Sequence, residues 1–150
     1  MTTTFERQLH LPVSAEDGFA WHERPGALDR LIPPWESVSI LNRGDGIRDG
    51  SIVELAQHLG PLKMKWVAKH YGYKAGQTFR DTQVSGPFAS WEHLHEFRPN
   101  DDSNGVLTDH IDYQVPGGIF GRLLGGPFIK QKVESMFTYR HNTTCFQLSV

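Results

Sequence analysis

The residues best suited to chemistry in this 150-residue sequence lie in one alternating run, Trp91-Glu92-His93-Leu94-His95-Glu96-Phe97. In an extended strand every second side chain shares a face. Trp91, His93, His95 and Phe97 therefore point one way, and Glu92, Leu94 and Glu96 the other. The two glutamates mark the second face as solvated, which sends two imidazoles inward beside two large rings. The same alternation turns Met64, Trp66, Ala68 and His70 inward against Lys63, Lys65 and Lys69. It also places Phe79, Asp81 and Gln83 on an inner face, and likewise Leu107, Asp109, Ile111 and Tyr113. Four strands thus each give polar groups to one concave surface. Imidazoles and carboxylates in hydrogen-bonded pairs tuned by burial are the parts of general acid–base catalysis, which makes His70, Asp81, His93, His95 and Asp109 the candidate catalytic residues. His93, His95, Asp81 and Asp109 also offer the nitrogen and oxygen ligands that zinc or a facial-triad iron uses. A third reading is structural: a satisfied buried network that fixes strand register.

Hairpin counting orders these groups. Opposite residues on antiparallel strands share a face, so paired positions in one hairpin have a constant sum. A turn centred near Lys74 to Gly76 sets His70 opposite Asp81, and one near Gly86 to Ala89 sets Asp81 opposite either His93 or His95. A turn in Asp101-Asp102-Ser103 sets His95 opposite Asp109. The result is a polar row across four strands. A buried carboxylate is costly unless paired, so each Asp should be held by an imidazole, and an imidazole between carboxylates should keep its proton more firmly than in water.

The elements that must carry this row are readable in order. Phe5 to Leu11 alternate as a first strand, stopped by Pro12. Ser14 caps a short helix with Asp17 three residues on, and Pro25 suits the first position of a second, ended by Pro33-Pro34. Six strands follow, at 35–43, 51–59, 63–73, 77–85, 90–98 and 105–115, separated by turn residues such as Gly44-Asp45-Gly46, Gly60-Pro61 and Gly86-Pro87. Short connections imply antiparallel neighbours in sequence order. After Pro116, the glycines 117, 118, 121, 125 and 126 surround Ile119, Phe120, Leu123 and Leu124, a composition suited to a gate. From Pro127 a helix carries Ile129, Val133, Met136, Phe137 and Arg140 on one face. Arg140 there can reach Asp109 or a ligand's oxygen, or sit near the helix C-terminus where the dipole favours a cation. Trp21-His22 and Trp35 are placed to line one mouth of the fold or to pack the small helices on the sheet. The economical packing is α+β: a seven-stranded antiparallel sheet curled around the last helix, with an internal cavity between them.

The length suits one domain over 1–150. Fifteen Lys and Arg against seventeen Asp and Glu give a net charge of −2, without the basic excess of a nucleic-acid surface. Cys145 is the single cysteine, which excludes an internal disulfide and points to a reducing cytoplasm. The first ten residues lack the apolar stretch of a secretory signal, and no run is long enough to span a bilayer. Four Trp, nine Phe, four Tyr and eight His suit a partly wet cavity. Gly44-Asp45-Gly46 and Gly117-Gly118 lack the lysine of a phosphate loop, and no serine sits in a nucleophile elbow.

The element order resembles the helix-grip fold of the START and Bet v 1-like superfamily, which includes polyketide cyclases and dehydrases. The run Phe79-x-Asp81-x-Gln83-x-x-Gly86-Pro87-Phe88-x-x-Trp91-x-His93-x-His95-x-Phe97 is similar to a bacterial subgroup of it, as are Leu107-x-Asp109-x-Ile111-x-Tyr113 and Met136-Phe137-x-Tyr139-Arg140-His141. Members occur alone or joined to a nucleotide-sugar epimerase-like domain, of which these residues show no part. The resemblance implies a cavity for a small hydrophobic molecule, no metal and no cofactor. Its expected lining is Trp66, His70, Asp81, Gln83, Phe88, Trp91, His93, His95, Asp109, Tyr113, Met136, Phe137 and Arg140. Two readings of function follow: a module that binds such a molecule, or a cyclase or dehydrase working through the His and Asp groups.

Overall fold

Backbone alternation and turn chemistry produce seven strands in a single sheet. The computed structural model describes the backbone of residues 1–59 and 62–150, with the side chains of 59, 62, 119, 120 and 122–124 outside the described set. Strand β1 (Thr3–His10) is followed by helices α1 (Ala15–His22) and α2 (Ala27–Leu31). Strands β2 (Val38–Asn42), β3 (Ile52–Leu59), β4 (Leu62–Lys74), β5 (Thr78–Ser85), β6 (Ser90–Pro99) and β7 (Gly105–Gln114) come next, and helix α3 (Gly118–Leu148) closes the chain. The order across the antiparallel sheet is β1-β7-β6-β5-β4-β3-β2, with successive hairpins side by side and β1 joining the far edge.

The inner face is the one expected. Strand β1 alternates half-buried and exposed residues throughout, and in β6 the side chains of Trp91, His93, His95 and Phe97 are all buried. Two apolar clusters divide the concave side. Leu11, Phe19, Phe79, Phe97 and Leu107 join α1 to one end of the sheet. Trp91, Ile111, Tyr113, Val133 and Phe137 join α3 to the other. Between them lie the histidines and aspartates.

Local chemistry moved several boundaries. Ser14 caps α1 through Asp17 N–H as the sequence requires. Helix α2, however, begins after Gly26, which sits at φ 89° where a side chain would be strained, so Pro25 lies outside the helix. Strand β2 starts at Val38 because turn bonds from Glu36 to Pro33 and from Val38 to Glu36 occupy the preceding residues. Helix α3 starts at Gly118, nine residues before the proline that was expected to open it, and Pro127 lies inside. The glycine-rich stretch is thus the first turns of α3. Gly121 serves close approach there, since a Cβ would fall 1.8 Å from the Pro116 carbonyl oxygen. The side chains of Ile119, Phe120, Leu123 and Leu124, on which the gate was read, lie outside the described residues. No described helix is long and apolar enough to cross a membrane.

Candidate functional site

The register brings the polar row together. His70 is opposite Asp81, Asp81 opposite His93, and His95 opposite Asp109, so the alternative left open by hairpin counting resolves to His93. Because strands twist, the side chains bond diagonally as well as directly. His95 lies between both carboxylates, with Nε2 3.1 Å from Asp81 Oδ2 and Nδ1 3.1 Å from Asp109 Oδ1. His93 Nε2 is 2.8 Å from Asp109 Oδ1, while its Nδ1 stands 3.5 Å from Asp81 Oδ2. The indole N–H of Trp91 donates to Asp81 Oδ1 at 3.3 Å. His141, from α3, reaches across to Asp109 Oδ2 at 2.6 Å. All four carboxylate oxygens therefore have a ring nitrogen as partner.

These contacts and the pKa directions give one consistent proton inventory. Burial opposes a charge on His95, but Asp109 and Asp81 outweigh it and hold its pKa above the ordinary value. Charged, it donates from Nε2 to Asp81 Oδ2 and sets Nδ1 against Asp109 Oδ1 as an ion pair. Burial and the neighbouring His95 charge together push His93 the other way, against the pull of the same carboxylates. Neutral, it has one N–H, which belongs on Nε2 at the shorter contact. The expectation that an imidazole between carboxylates keeps its proton holds for His95 and fails for His93, because two facing rings 3.6 Å apart cannot both be charged cheaply. Burial disfavours both carboxylates, yet His93, His95 and His70 hold Asp81 far below the usual range, and His141, His93 and His95 do the same for Asp109.

Asp81, His93 and His95 present ligand atoms within 4.8 Å of one another, the spacing of a three-ligand metal centre. The geometry fits proton sharing better. One nitrogen of each ring is already hydrogen-bonded to a carboxylate, His95 Nε2 to Asp81 Oδ2 and His93 Nε2 to Asp109 Oδ1. A metal would need its ligating nitrogens deprotonated and about 2.0–2.1 Å away.

The remaining predicted residues divide. Trp66, Phe88, Trp91 and Tyr113 form an aromatic wall with ring centroids about 5–6 Å apart, and Phe137 closes against His93 from α3. Met136 is half-buried on the same cluster. Gln83 is spent on its own hairpin, bonding the backbone of Phe88 through both ends of its amide. His70 is buried but outside the bonded network, and its Nδ1 has no partner. Arg140 lies over the Phe137 ring at 5.3 Å, eight residues before the end of α3, so a role at the helix C-terminus does not apply. Of the residues read as a mouth, Trp21 is core and Trp35 is exposed, resting on Tyr139.

His141 was missed as a site residue although it stands four residues after Phe137. Extending the α3 stripe by one helical turn finds it. His22, read with Trp21 as lining a mouth or packing on the sheet, bonds the Gly18 carbonyl through Nδ1 at 2.8 Å and meets Phe97 and Trp21 edge-on. Burial pushes its pKa down to about 4. A separate cleft of about 340 Å³ lies between α2 and β2, where Asp29 pairs with Arg43 and Glu36 with Lys132.

A family model described as polyketide cyclase / dehydrase and lipid transport matches residues 11–137. The chain belongs to this family. No curated protein matches its sequence. Among solved structures, a nucleoside-diphosphate sugar epimerase from Corynebacterium glutamicum is 25% identical, with a TM-score of 0.74 over 99% of this chain. The present chain spans only 29% of that protein. A norcoclaurine synthase variant from Thalictrum flavum, solved with a transition-state analogue, is 16% identical, with a TM-score of 0.72 over 99% of this chain and 94% of its own. An aromatase/cyclase from a Streptomyces species is 14% identical, with a TM-score of 0.70 over 99% and 94%. At these identities the last two likenesses are of fold, and the fold is the helix-grip one. Membership in the polyketide cyclase/dehydrase family supports ligand binding or cyclase function in general terms.

Proposed function

We propose that the chain binds a small, largely apolar molecule between the concave sheet and α3, its ring system on the aromatic wall and its polar end at the His/Asp belt. The observation that carries this is incomplete burial on an inward face. Trp66, Phe88, Met136, Asp81 and Gln83 all point into the fold and all remain half-buried, although a helix of 31 residues lies across them. A filled core would close over such large side chains. Along the belt, side-chain exposure falls from Asp81 at 15% and His95 at 11% to Asp109 at 5%, His141 at 3% and His93 at 2%. Asp81 and His95 are thus the members that meet a ligand, and the other three hold them in place. Native mass spectrometry of freshly purified protein is expected to show a retained small molecule; a chain that also fails to bind aromatic probes would overturn the reading.

A second reading, acid–base catalysis of the cyclase or dehydrase type, is favoured by the opposite pKa directions of His93 and His95. Environments that drive two neighbouring groups apart supply an acid and a base at one pH. In that reaction charged His95 would protonate a departing hydroxyl, while Asp81 would take a proton from the carbon beside a carbonyl and pass it to the free Nδ1 of neutral His93, 3.5 Å away. Deuterium exchange next to the carbonyl of a bound 2-tetralone probe, lost in His95→Ala, is the expected result. Exchange no faster than in buffer leaves the binding module alone.

A further inference from the structure

The belt leaves one charge over. Among the described residues, six charged or polar groups close on one another: each oxygen of Asp81 and Asp109 has a partner in Trp91, His93, His95 or His141. Arg140 enters none of these contacts. It makes no hydrogen bond or ion pair with any described residue, and its Nε is fully shielded without an acceptor. Its nearest defined neighbour is the face of Phe137. Burial pulls its pKa down despite the fields of Asp109 and Asp81, and the same guanidinium is felt by His22 on α1. The side chain is therefore half-buried, with Nε turned away from water and the charge within electrostatic range of the belt.

A buried guanidinium N–H without an acceptor is unfavourable, and the aspartate oxygens whose field it feels are already taken by the imidazoles and the indole. Arg140 stands on the α3 face shared with Val133, Met136 and Phe137, about one turn beyond the residues that meet the aromatic wall. Resting on the reading of an apolar ligand above, we propose that Arg140 is the anchor for the ligand's carboxylate, so that the natural ligand is an aromatic carboxylic acid bound as its anion. A planar fork of N–H donors matches a carboxylate in two parallel hydrogen bonds, and the flat rings of Trp66, Phe88 and Trp91 receive the hydrocarbon. The two aspartates do not repel such a ligand strongly, because their oxygens are already covered by donors.

Isothermal titration of the full chain with 2-naphthoate and with the neutral, isosteric 2-naphthamide tests this. The naphthoate is expected to bind at least about ten-fold more tightly than the amide. Arg140→Gln should bring the two within about two-fold, chiefly by weakening the naphthoate, and Arg140→Lys should retain a preference for the acid. Equal binding of acid and amide by the unaltered protein overturns the carboxylate anchor and leaves the apolar site standing. So does a preference that survives Arg140→Gln. Binding of neither compound overturns both. The comparison on the unaltered protein decides the matter even where a variant folds poorly.

Discussion

His93 and His95 are two residues apart on β6 and face each other at 3.6 Å, yet they hold protons differently. The difference comes from position between the carboxylates: His95 has both at 3.1 Å, while His93 has one at 2.8 Å and the other at 3.5 Å. Removing one partner of a buried pair leaves an uncompensated charge, so His95→Ala and Asp109→Asn should each cost about 3–5 kcal/mol. Because both act through the same oxygens, the double variant should cost less than the sum, with a coupling of about 0.5–3 kcal/mol. Urea titrations of the four proteins measure it, and strict additivity would show that the two side chains do not share a network.

At the scale of elements, α3 holds the site closed through few contacts. Phe137 is 1% exposed, touching Phe5 on β1 and His93 on β6. Phe137→Ala should therefore destabilise by about 3–5 kcal/mol and should also loosen the belt, since the ring covers it. A melting temperature unchanged from the parent would place that ring outside the core. The opposite end depends on a close approach. At Gly105, the first residue of β7, a Cβ would stand 2.6 Å from both Cα and N of Ala15, so α1 can lie against the sheet only because this residue has no side chain. The backbone cannot retreat easily, because Gly105 N–H donates to Val13 and its carbonyl accepts from Leu11. Gly105→Ala is expected to cost about 1–3 kcal/mol as overpacking; a chemical-denaturation midpoint equal to the parent's would argue that α1 shifts freely.

For the whole molecule, the buried histidines set the response to acid. His22, His70 and His93 have pKa values lowered chiefly by burial. Below the unfolded value of 6.5 the unfolded chain takes up protons that the folded chain refuses, so their contribution to stability is lost as pH falls. His95, and His110 at the surface, are raised and work in the opposite sense, stabilising below 6.5 and losing that contribution as pH rises through their folded values. Three against two, with His110 largely screened, predicts falling stability from pH 6.5 downward. Below the ordinary carboxylate value of 3.8 the depressed Asp81 and Asp109 add to the loss. His22, moved from 6.5 to about 4, accounts for up to about 3 kcal/mol of this. His22→Phe keeps the ring contacts, and its stability should fall less steeply between pH 6.5 and 4 than the parent's. Parallel curves would remove His22 as a source of the acid sensitivity.

Alternation and turn residues, both local, were enough to specify seven strands, the antiparallel order of the last six, the inward face of the four that carry the belt, and the pairings of His70 with Asp81 and His95 with Asp109; that β1 pairs with β7 came only from the fold. A side chain's face follows from its parity in the strand, and register follows from where the turn can sit. The start of α3 was not legible, because the glycines before Pro127 have weak helix propensity and nothing local announces a helix from Gly118. Nor was the role of His141, which lies 32 residues from Asp109 and reaches it only when α3 crosses the sheet. The division of protons between His93 and His95 depends on differences of less than 1 Å between rings and carboxylates. Parity and spacing carry no information at that distance; twist and packing set it.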